Sequence, residues 1–528
     1  MEFLANLSAI AAGFLALLVF LISFGLIKSR TYAPTTNNSN SRPPPELSGS
    51  WPLIGHLFRL SSRVPLFQTF GSLADEYGPV FLFRLGIQPI LVVSSWEAVK
   101  DCFTINDRAL SARPETISSR ILGYNGAAFG FSNGPYWREI RKLAVVELLS
   151  HRRLQMLSHF SVSEVETSIK ELYRQWQRRP NDVVLISEWI EKLILNLIVT
   201  VIAGKRYNFD SAQDDQEAKH FRKVVKEFMF ATGDIFWTDV VPLPIFKLIE
   251  IGKLRKTKRI MRDVDSIISS WVLEHVERNR THKEEEEEED RRDFIDVLLS
   301  TVNDINTHGH SPHTVIKATL MNLILAGSDT TSINLIWILS LLMNNKHILK
   351  KAQEEIESKI GKERWAEESD MKNLVYLQAI VKETLRLYPP GPLSVAHLAA
   401  EDCEVAGYKV HKGMRLTVNL WKLHRDPRIW EDPDEFRPER FMGTHVELDV
   451  TGHQYEYTPF GSGRRACPGL GFAMQVTHLV MARLLQGFDF ATAGDEPVDM
   501  TEGFGLTLPK VNPLQLLITP RLSSKYYI

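Results

Sequence analysis

The chain has 528 residues, of which 44% are hydrophobic and 24% charged, a balance typical of folded globular proteins. Its 62 basic and 64 acidic residues leave a net charge of −2, which shows no footprint of nucleic-acid binding. The three cysteines, Cys102, Cys403 and Cys467, argue against a disulfide framework and for a reducing compartment.

The first 30 residues are predicted to form a membrane anchor. The stretch Phe3–Ile27 carries no charge and, at about 1.5 Å per residue, is long enough to cross a hydrocarbon core of about 30 Å. A cleaved signal peptide is the alternative, but it would begin with basic residues, and this chain begins with Glu2. Because Lys28 and Arg30 follow the apolar stretch, the rest of the chain is predicted to lie in the cytosol.

Residues 31–57 are predicted to be a linker, and residues 58–528 a single catalytic domain. The linker is first polar and then, over Arg42–Leu57, rich in proline, which favours a stiff polyproline II strut. A disordered linker is the alternative. The apolar residues Trp51, Leu53 and Ile54 instead indicate that the end of the strut docks onto the domain.

The remaining elements predict a mainly α-helical protein with small β-sheets. The longest helix is predicted over His313–Asn345, with Ser311 as N-cap and Pro312 at the first helical position. It is apolar almost all round but contains several polar residues, which predicts the central helix of a soluble core. Pro79–Ser95 and Cys403–Leu420 are read as hairpins, and the acidic run Glu284–Asp290 as a solvated loop whose role stays open.

The stretch Pro459–Gly469, PFGSGRRACPG, surrounds one cysteine with arginines and glycines. Arg464, Arg465 and the positive end of a predicted helix over Leu470–Phe488 would favour the thiolate of Cys467, the metal-binding form. Glycines allow close approach to a flat, bulky group. A single thiolate without nearby Cys or His fits zinc or iron–sulfur clusters poorly and suits haem, whose porphyrin already fills four iron positions.

These residues also carry a resemblance. Phe460, Gly463, Arg465, Cys467 and Gly469 match FxxGxRxCxG, the haem-ligand signature of the cytochrome P-450 superfamily. The chain resembles the plant microsomal A-type members, in particular the family numbered 82. The resemblance implies the α+β cytochrome P-450 fold behind one transmembrane helix, haem b as cofactor, and Cys467 as axial ligand of the iron.

Further motifs follow in the family's order. By resemblance, Glu383 and Arg386 of KETLR form a buried salt-bridged triad with Arg440 of FRPERF. Residues implied near the haem propionates are Trp137 and Arg141 of WREIR, together with Arg465 and His397. Val395–Leu398 departs from the family's usual proline before the histidine, so the strand beside the pocket is expected to sit differently.

The segment Ala326–Ser332, AGSDTTS, resembles the family's oxygen-activation segment. Asp329 and Thr330, an acid and a hydroxyl in an apolar helix, are suited to deliver protons, and Gly327 is expected to let the helix open there. The alternative for Thr330 is a threonine bonded to its own backbone. Substrate contacts are implied at Ser118–Phe131, Leu325, Ala326, Leu393–Ala396 and Gly505–Leu508.

The resemblance implies a monooxygenase anchored in the endoplasmic reticulum membrane. It would hydroxylate a small apolar plant metabolite, a flavonoid, terpenoid or alkaloid, with flavonoids favoured first. Electrons would come from NADPH through a separate cytochrome P-450 reductase, since no flavin or dinucleotide fingerprint precedes the domain. A haem-thiolate isomerase or dehydratase, and a haem-binding sensor without turnover, stay open as alternatives. The sequence leaves open the substrate, the position oxidised, the pathway and the oligomeric state.

Overall fold

A long apolar helix, Pro312–Asn344, forms the centre of the computed structural model, which describes Gly13 and residues 42–60, 63–208, 216–281 and 292–528. Apart from Gly13, the predicted anchor Phe3–Ile27 lies outside the described residues, as do residues 31–41 of the linker and the acidic run Glu284–Asp290.

Helices make up most of the described chain. The α-helices are α1 (Leu66–Tyr77), α2 (Trp96–Phe103), α3 (Ile117–Leu122), α4 (Gly134–Leu143), α5 (His151–Met156), α6 (Ser158–Arg178), α7 (Ile186–Ala203), α8 (Gln216–Gly233), α9 (Trp237–Val240), α10 (Pro244–Ile249), α11 (Ile251–Thr281), α12 (Phe294–Thr301), α13 (Pro312–Asn344), α14 (Lys346–Lys359), α15 (Val375–Leu387), α16 (Leu420–Leu423) and α17 (Leu470–Gly487).

The strands are short. They are β1 (Val80–Leu85), β2 (Gln88–Val93), β3 (His397–Leu398), β4 (Cys403–Val405), β5 (Tyr408–Val410), β6 (Arg415–Val418), β7 (Phe488–Ala491) and β8 (Leu517–Pro520). The largest sheet has the order β1-β2-β6-β3, and β4-β5 and β7-β8 form two-stranded sheets. The predicted hairpin Pro79–Ser95 is confirmed. The second prediction holds only for β4 and β5, because β6 pairs with β2 in parallel and with β3 in antiparallel.

Local signals explain where α13 begins. The Ser311 hydroxyl accepts a hydrogen bond from the Thr314 backbone N–H, and Pro312 takes the first helical position. The helix packs against α7, α11, α15 and α17. It is long and apolar enough to cross a membrane, but 72% of its apolar 18-residue segment is buried inside the protein. Helix α13 is therefore a buried core helix, as its polar residues predicted.

The expected opening of α13 at Gly327 is wrong, because the helix is continuous through this residue. A Cβ at Gly327 would lie 2.9 Å from Cδ1 of Ile198. The missing side chain at Gly327 therefore leaves room for Ile198 of α7.

The described end of the linker docks, as predicted: Ile54 packs against a hydrophobic core cluster as expected, and further residues take part. Leu47 is buried, the Glu46 carboxylate pairs with Arg84 on β1, and His56 accepts a 2.9 Å hydrogen bond from the Arg84 backbone N–H. Trp51, by contrast, is 62% exposed.

Candidate active site

A cavity of about 440 Å³ lies between α13, α7 and the segment before α17. The Cys467 sulfur, the Thr330 side chain on α13 and Ile198 on α7 all line it. Cys467 is accessible only because its side chain faces this interior cavity. The cavity therefore joins the candidate metal ligand and the candidate proton donor, which are far apart in the sequence.

The loop before α17 holds Cys467 in place. The Cys467 backbone N–H donates a 2.9 Å hydrogen bond to the Phe460 carbonyl. Gly463 has a φ of +67°, and a Cβ there would collide with the Asp107 carboxylate, so the turn requires glycine. Burial raises the pKa of Cys467, while the Gly469 backbone N–H and the Arg141 charge act in the opposite direction by favouring the thiolate.

Two of the predicted cations and the predicted tryptophan meet at the cavity. The Arg465 guanidinium lies 3.8 Å from the ring centroid of Trp137, within the range of a cation–π contact. Arg465 also donates to the carbonyls of Ser111 and Ser132. Arg141 donates a 2.6 Å hydrogen bond to the carbonyl of Ala466, next to the cysteine.

Arg113 is a third cation at this cavity, and sequence reasoning missed it. Its side chain is buried and donates to the carbonyls of Val395 and Ala396, in the segment just before β3. Burial and the neighbouring Arg141 lower the pKa of Arg113 to about 10. A lone arginine before a proline carries no periodic signal, and only the fold brings it here.

His397 also lines the cavity. Its Nδ1 donates a 2.8 Å hydrogen bond to the Leu110 carbonyl, which leaves Nε2 as the other polar atom of the ring. Burial and the charge of Arg113 lower the pKa of His397 to about 3, so the imidazole is neutral in this setting.

Asp329 and Thr330 lie on different sides of α13. The Thr330 hydroxyl donates a 2.6 Å hydrogen bond to the Ala326 carbonyl, which is the back-bonded geometry of the alternative interpretation, yet its side chain lines the main cavity. The Asp329 carboxylate accepts from the Thr507 hydroxyl at 2.8 Å, and burial raises its pKa.

Asp329 also lines a second cavity of about 150 Å³. The charged residues there are Glu191, Arg222, Lys226 and Lys510. Asp329 and Thr330, neighbours in the chain, therefore line two different cavities, and charged side chains stand in the wall of the smaller one.

The predicted triad is assembled in the interior. Arg386 and Glu383 are fully buried and joined by two hydrogen bonds of 2.8 and 2.9 Å, and Arg440 lies 3.3 Å from the same carboxylate. Arg386 also donates to the carbonyls of His424 and Pro433, so the pair fixes the irregular chain after α16.

His424 continues this network to the cysteine loop. Its Nε2 accepts a 3.1 Å hydrogen bond from the backbone N–H of Thr458, two residues before Phe460. Burial and the charge of Arg386 lower the pKa of His424 to about 3, which keeps Nε2 free to accept. No local pattern in the sequence marks His424, because its partners are distant in the chain.

The comparisons with known proteins agree with this geometry. Residues 43–517 match the family model described as Cytochrome P450. This chain belongs to the cytochrome P450 family. Nicotine N-demethylase CYP82E3 of Nicotiana tomentosiformis is 46% identical over 97% of this chain and 99% of that protein. This relative confirms the predicted resemblance to family 82.

Two further P450s show the range of the family. Flavonoid-6-hydroxylase of Ocimum basilicum is 44% identical over 96% of this chain and 96% of that protein. A zebra fish cytochrome P450 solved with progesterone has a TM-score of 0.73 and 24% identity, and covers 87% of this chain and 100% of its own. The predicted mainly helical P450 fold with small sheets is confirmed.

P450s use haem, and the residues of the cavity fit it. Arg113, Arg141 and Arg465 bring three positive charges to one region, and among the described residues no carboxylate pairs with any of them. Burial lowers the pKa of Arg465 to about 9, with the other two arginines acting in the same direction. Such a cluster favours a dianionic partner, which the two haem propionates supply.

The apolar walls differ partly from the expected substrate contacts. Of the expected segments, the residues that line the cavity are Phe129, Gly130, Phe131, Leu325, Ala326, Leu393, Ser394, Val395, Leu506 and Thr507. Ser118 instead donates to the Asp234 carbonyl, away from the cavity. Helices α7 and α8 add lining residues that the sequence did not indicate, namely Ile198, Val201, Ile202, Phe228, Met229 and Thr232.

Proposed function

We propose that this P450 is a haem-thiolate monooxygenase that hydroxylates a small apolar plant specialised metabolite. The observation that carries the proposal is the shared cavity, which the Cys467 sulfur and the Thr330 hydroxyl both line between apolar walls. Haem bound through a thiolate activates dioxygen so that one oxygen atom enters a C–H bond and the other leaves as water, with two electrons and two protons consumed.

The cavity residues have separate roles in binding haem. Cys467 would supply the thiolate that holds the haem iron, and the N–H of Gly469 together with Arg141 would stabilise its negative charge. The roles of Phe460 and Gly463 are to shape the loop around the sulfur.

The arginines of the cavity would bind the haem propionates. Arg113, Arg141 and Arg465 would neutralise the two carboxylates, and the cation–π contact with the Trp137 ring helps to position the Arg465 guanidinium. His397 contributes a polar ring nitrogen at the same cavity.

Proton supply is the role of Asp329 and Thr330. Asp329 takes protons from the smaller cavity, whose wall also contains Lys226 and Glu191, and its raised pKa suits it to carry one. Thr330 lines the larger cavity with its mostly apolar walls. There its hydroxyl oxygen can accept a proton from ordered water and pass it on. This arrangement favours dioxygen chemistry over an isomerase, which needs no proton supply at this position.

We place the protein in the endoplasmic reticulum membrane with its catalytic domain in the cytosol. Besides the predicted anchor, exposed apolar side chains support a membrane contact: Trp237, Leu248 and Ile249 are 43%, 65% and 65% exposed on α9 and α10. These helices adjoin the sheet, since the Ile87 N–H donates a 2.9 Å hydrogen bond to the Val240 carbonyl. The electron donor is a separate NADPH–cytochrome P450 reductase on the same membrane.

The test of this function uses microsomes that contain the full-length protein with reductase. They receive a panel of flavones, terpenes and alkaloids under isotopically labelled dioxygen, and Cys467→Ala microsomes serve as control. The expected result is an NADPH-dependent product that contains one labelled oxygen atom. Product that forms without NADPH, or without label, contradicts the monooxygenase and identifies an isomerase or dehydratase.

Topology is tested separately. Asn37 and Asn279 stand in N-x-S/T sequons, which a cytosolic domain leaves unmodified. A mobility shift on endoglycosidase treatment contradicts the proposed orientation.

A further inference from the structure

Asn322 is a polar residue of the cavity that the sequence did not single out. It lies on α13, four residues before Ala326 and eight before Thr330, so all three side chains share one helix face. At 1.5 Å per residue, Asn322 lies about 12 Å along the helix from Thr330. The interval leaves room for a molecule of two or three fused or linked rings.

A backbone contact fixes which end of the Asn322 amide faces the cavity. Its Oδ1 accepts a 2.8 Å hydrogen bond from the backbone N–H of Gly130. Because an N–H can only donate, the atom facing Gly130 must be the oxygen, and the NH₂ group is the other end. A Cβ at residue 130 would lie 3.2 Å from Oδ1, so glycine permits this close contact.

The NH₂ group of Asn322 has no acceptor within the part of the chain that the structure describes. Its nitrogen, Nδ2, is not fully buried, and Asn322 lines the cavity. The amide therefore offers two N–H donors to the cavity contents.

The charges of the cavity restrict the ligand further. The described residues that line it include the guanidinium groups of Arg113, Arg141 and Arg465 but no aspartate, glutamate or lysine. The two haem propionates and the Cys467 thiolate would together balance these three charges and leave no anionic group over. A cationic amine would thus be buried without a counter-ion, which is strongly unfavourable.

We propose that the substrate is an uncharged, largely apolar ring compound with an oxygen acceptor, and that Asn322 donates a hydrogen bond to this oxygen. The bond sets which carbon of the substrate faces the Thr330 end of the cavity, which makes Asn322 a specificity-determining residue. This inference rests on the proposed function, because it takes the cavity as the substrate pocket. Among the candidate classes it favours flavonoid-like molecules over protonated alkaloids.

The test measures binding and needs no turnover or reductase. Equilibrium dialysis with the haem-loaded full-length protein compares flavone, flavan (which lacks the carbonyl) and berberine, a permanent cation. The wild type is expected to bind flavone tighter than flavan by roughly 2- to 12-fold, the range of one neutral hydrogen bond. Berberine is expected to bind most weakly.

Two variants separate recognition from a structural role. Asn322→Leu should remove the preference for flavone while leaving flavan affinity unchanged. Asn322→Asp, studied at pH 8.5, keeps an acceptor for the Gly130 N–H but replaces the two donors with a negative charge. Flavone should therefore bind more weakly to this variant than to the wild type, and berberine more tightly. The matched control is Asn306→Asp, an exposed residue whose Oδ1 likewise accepts a backbone N–H, that of His308.

Several outcomes overturn the inference. They are equal binding of flavone and flavan by the wild type, equal weakening of both by Asn322→Leu, tighter binding of berberine than flavone, or no binding of flavone. If labelled oxygen still enters a cationic alkaloid, the proposed function stands and only the substrate inference fails. A protein that binds flavone as expected but oxygenates nothing fails the proposed function instead.

Discussion

The backbone N–H of Thr458 donates a 3.1 Å hydrogen bond to Nε2 of His424. The carbonyl of the same histidine accepts from Arg386 at 2.9 Å. One buried residue, through its carbonyl and its ring, therefore connects the Glu383–Arg386 pair to the segment that leads into the cysteine loop. The triad can stabilise this loop without contacting it.

The first prediction is that removing the ring acceptor weakens the loop. His424→Phe keeps the bulk of the ring but leaves the buried Thr458 N–H without a partner, which costs about 1–3 kcal/mol. We expect a lower melting temperature and a larger fraction of protein whose reduced carbon monoxide band shifts away from the family's characteristic position. Exposed His453→Phe is the control, and equal effects of both variants contradict the connection.

The second prediction concerns pH. The pKa of His424 is about 3 in the folded protein, below its ordinary value of 6.5, so the unfolded chain binds the proton more readily between these values. Stability contributed by the neutral ring is complete above pH 6.5 and is lost as the pH falls towards 3. At pH 5 the loss is about 2 kcal/mol, from 1.36 kcal/mol per pH unit.

The comparison that isolates this effect is with His424→Gln, which cannot titrate. Other buried histidines titrate in both proteins, so the difference in melting temperature between wild type and variant reports His424. We expect the melting temperature of the wild type to fall relative to that of the variant when the pH is lowered from 7.5 to 5. A difference that does not change with pH contradicts the prediction.

The third prediction concerns the haem ligand. Cys467→Ala should abolish the reduced carbon monoxide band, because only this cysteine faces the cavity among the three. Cys102, which is buried beside β-sheet residues, and half-buried Cys403 have raised pKa values from burial and act as matched controls. If Cys403→Ala also removed the band in a folded protein, the assignment of a single ligand would be wrong.

The fourth prediction is that Thr330→Ala uncouples turnover. The variant should bind haem and substrate, but NADPH oxidation should yield peroxide in place of hydroxylated product. Positioned proton transfer is worth roughly 10²–10⁴-fold, so product per NADPH should fall clearly. Ser340→Ala is the control, because Ser340 makes the same hydrogen bond to a carbonyl four residues earlier but lies outside the cavity. Unchanged coupling means that Thr330 is structural.

The fifth prediction is that Arg113 retains haem. Arg113→Leu removes one of three buried guanidinium groups, and a charge-assisted hydrogen bond is worth about 1.5–3 kcal/mol. Haem transfer to apomyoglobin should therefore accelerate by roughly 10- to 150-fold. Arg113→Lys should recover part of the loss. Exposed Arg120→Leu is the control, and equal transfer rates for Arg113→Leu and wild type contradict the role.

Much of the architecture could be read from local patterns. The boundaries of α13 followed from the N-cap Ser311, Pro312 and an apolar stretch, and the first hairpin followed from a short strand-like segment. The predicted partner of β6 was wrong, because a strand's pairing depends on which edge of the sheet is available and not on its neighbour in sequence. The membrane anchor and the domain limits stay predictions.

For the site, the sequence by itself determined the chemical groups: a cysteine between glycines and arginines, an acid beside a hydroxyl, and two motifs that supply a buried ion pair. Each is a cluster of residues close together in the chain, so its composition is visible without a fold. The structure brings these groups to one interior region, while their individual roles stay predictions.

Only the tertiary structure decided which groups face each other. It brought Arg113 to the cation cluster, made His424 the link to the cysteine loop, turned Asp329 and Thr330 towards different cavities, and fixed the Asn322 amide against Gly130. These contacts join residues tens to hundreds of positions apart. A side chain's direction and burial depend on how whole helices pack together, and a local pattern in the sequence does not contain that information.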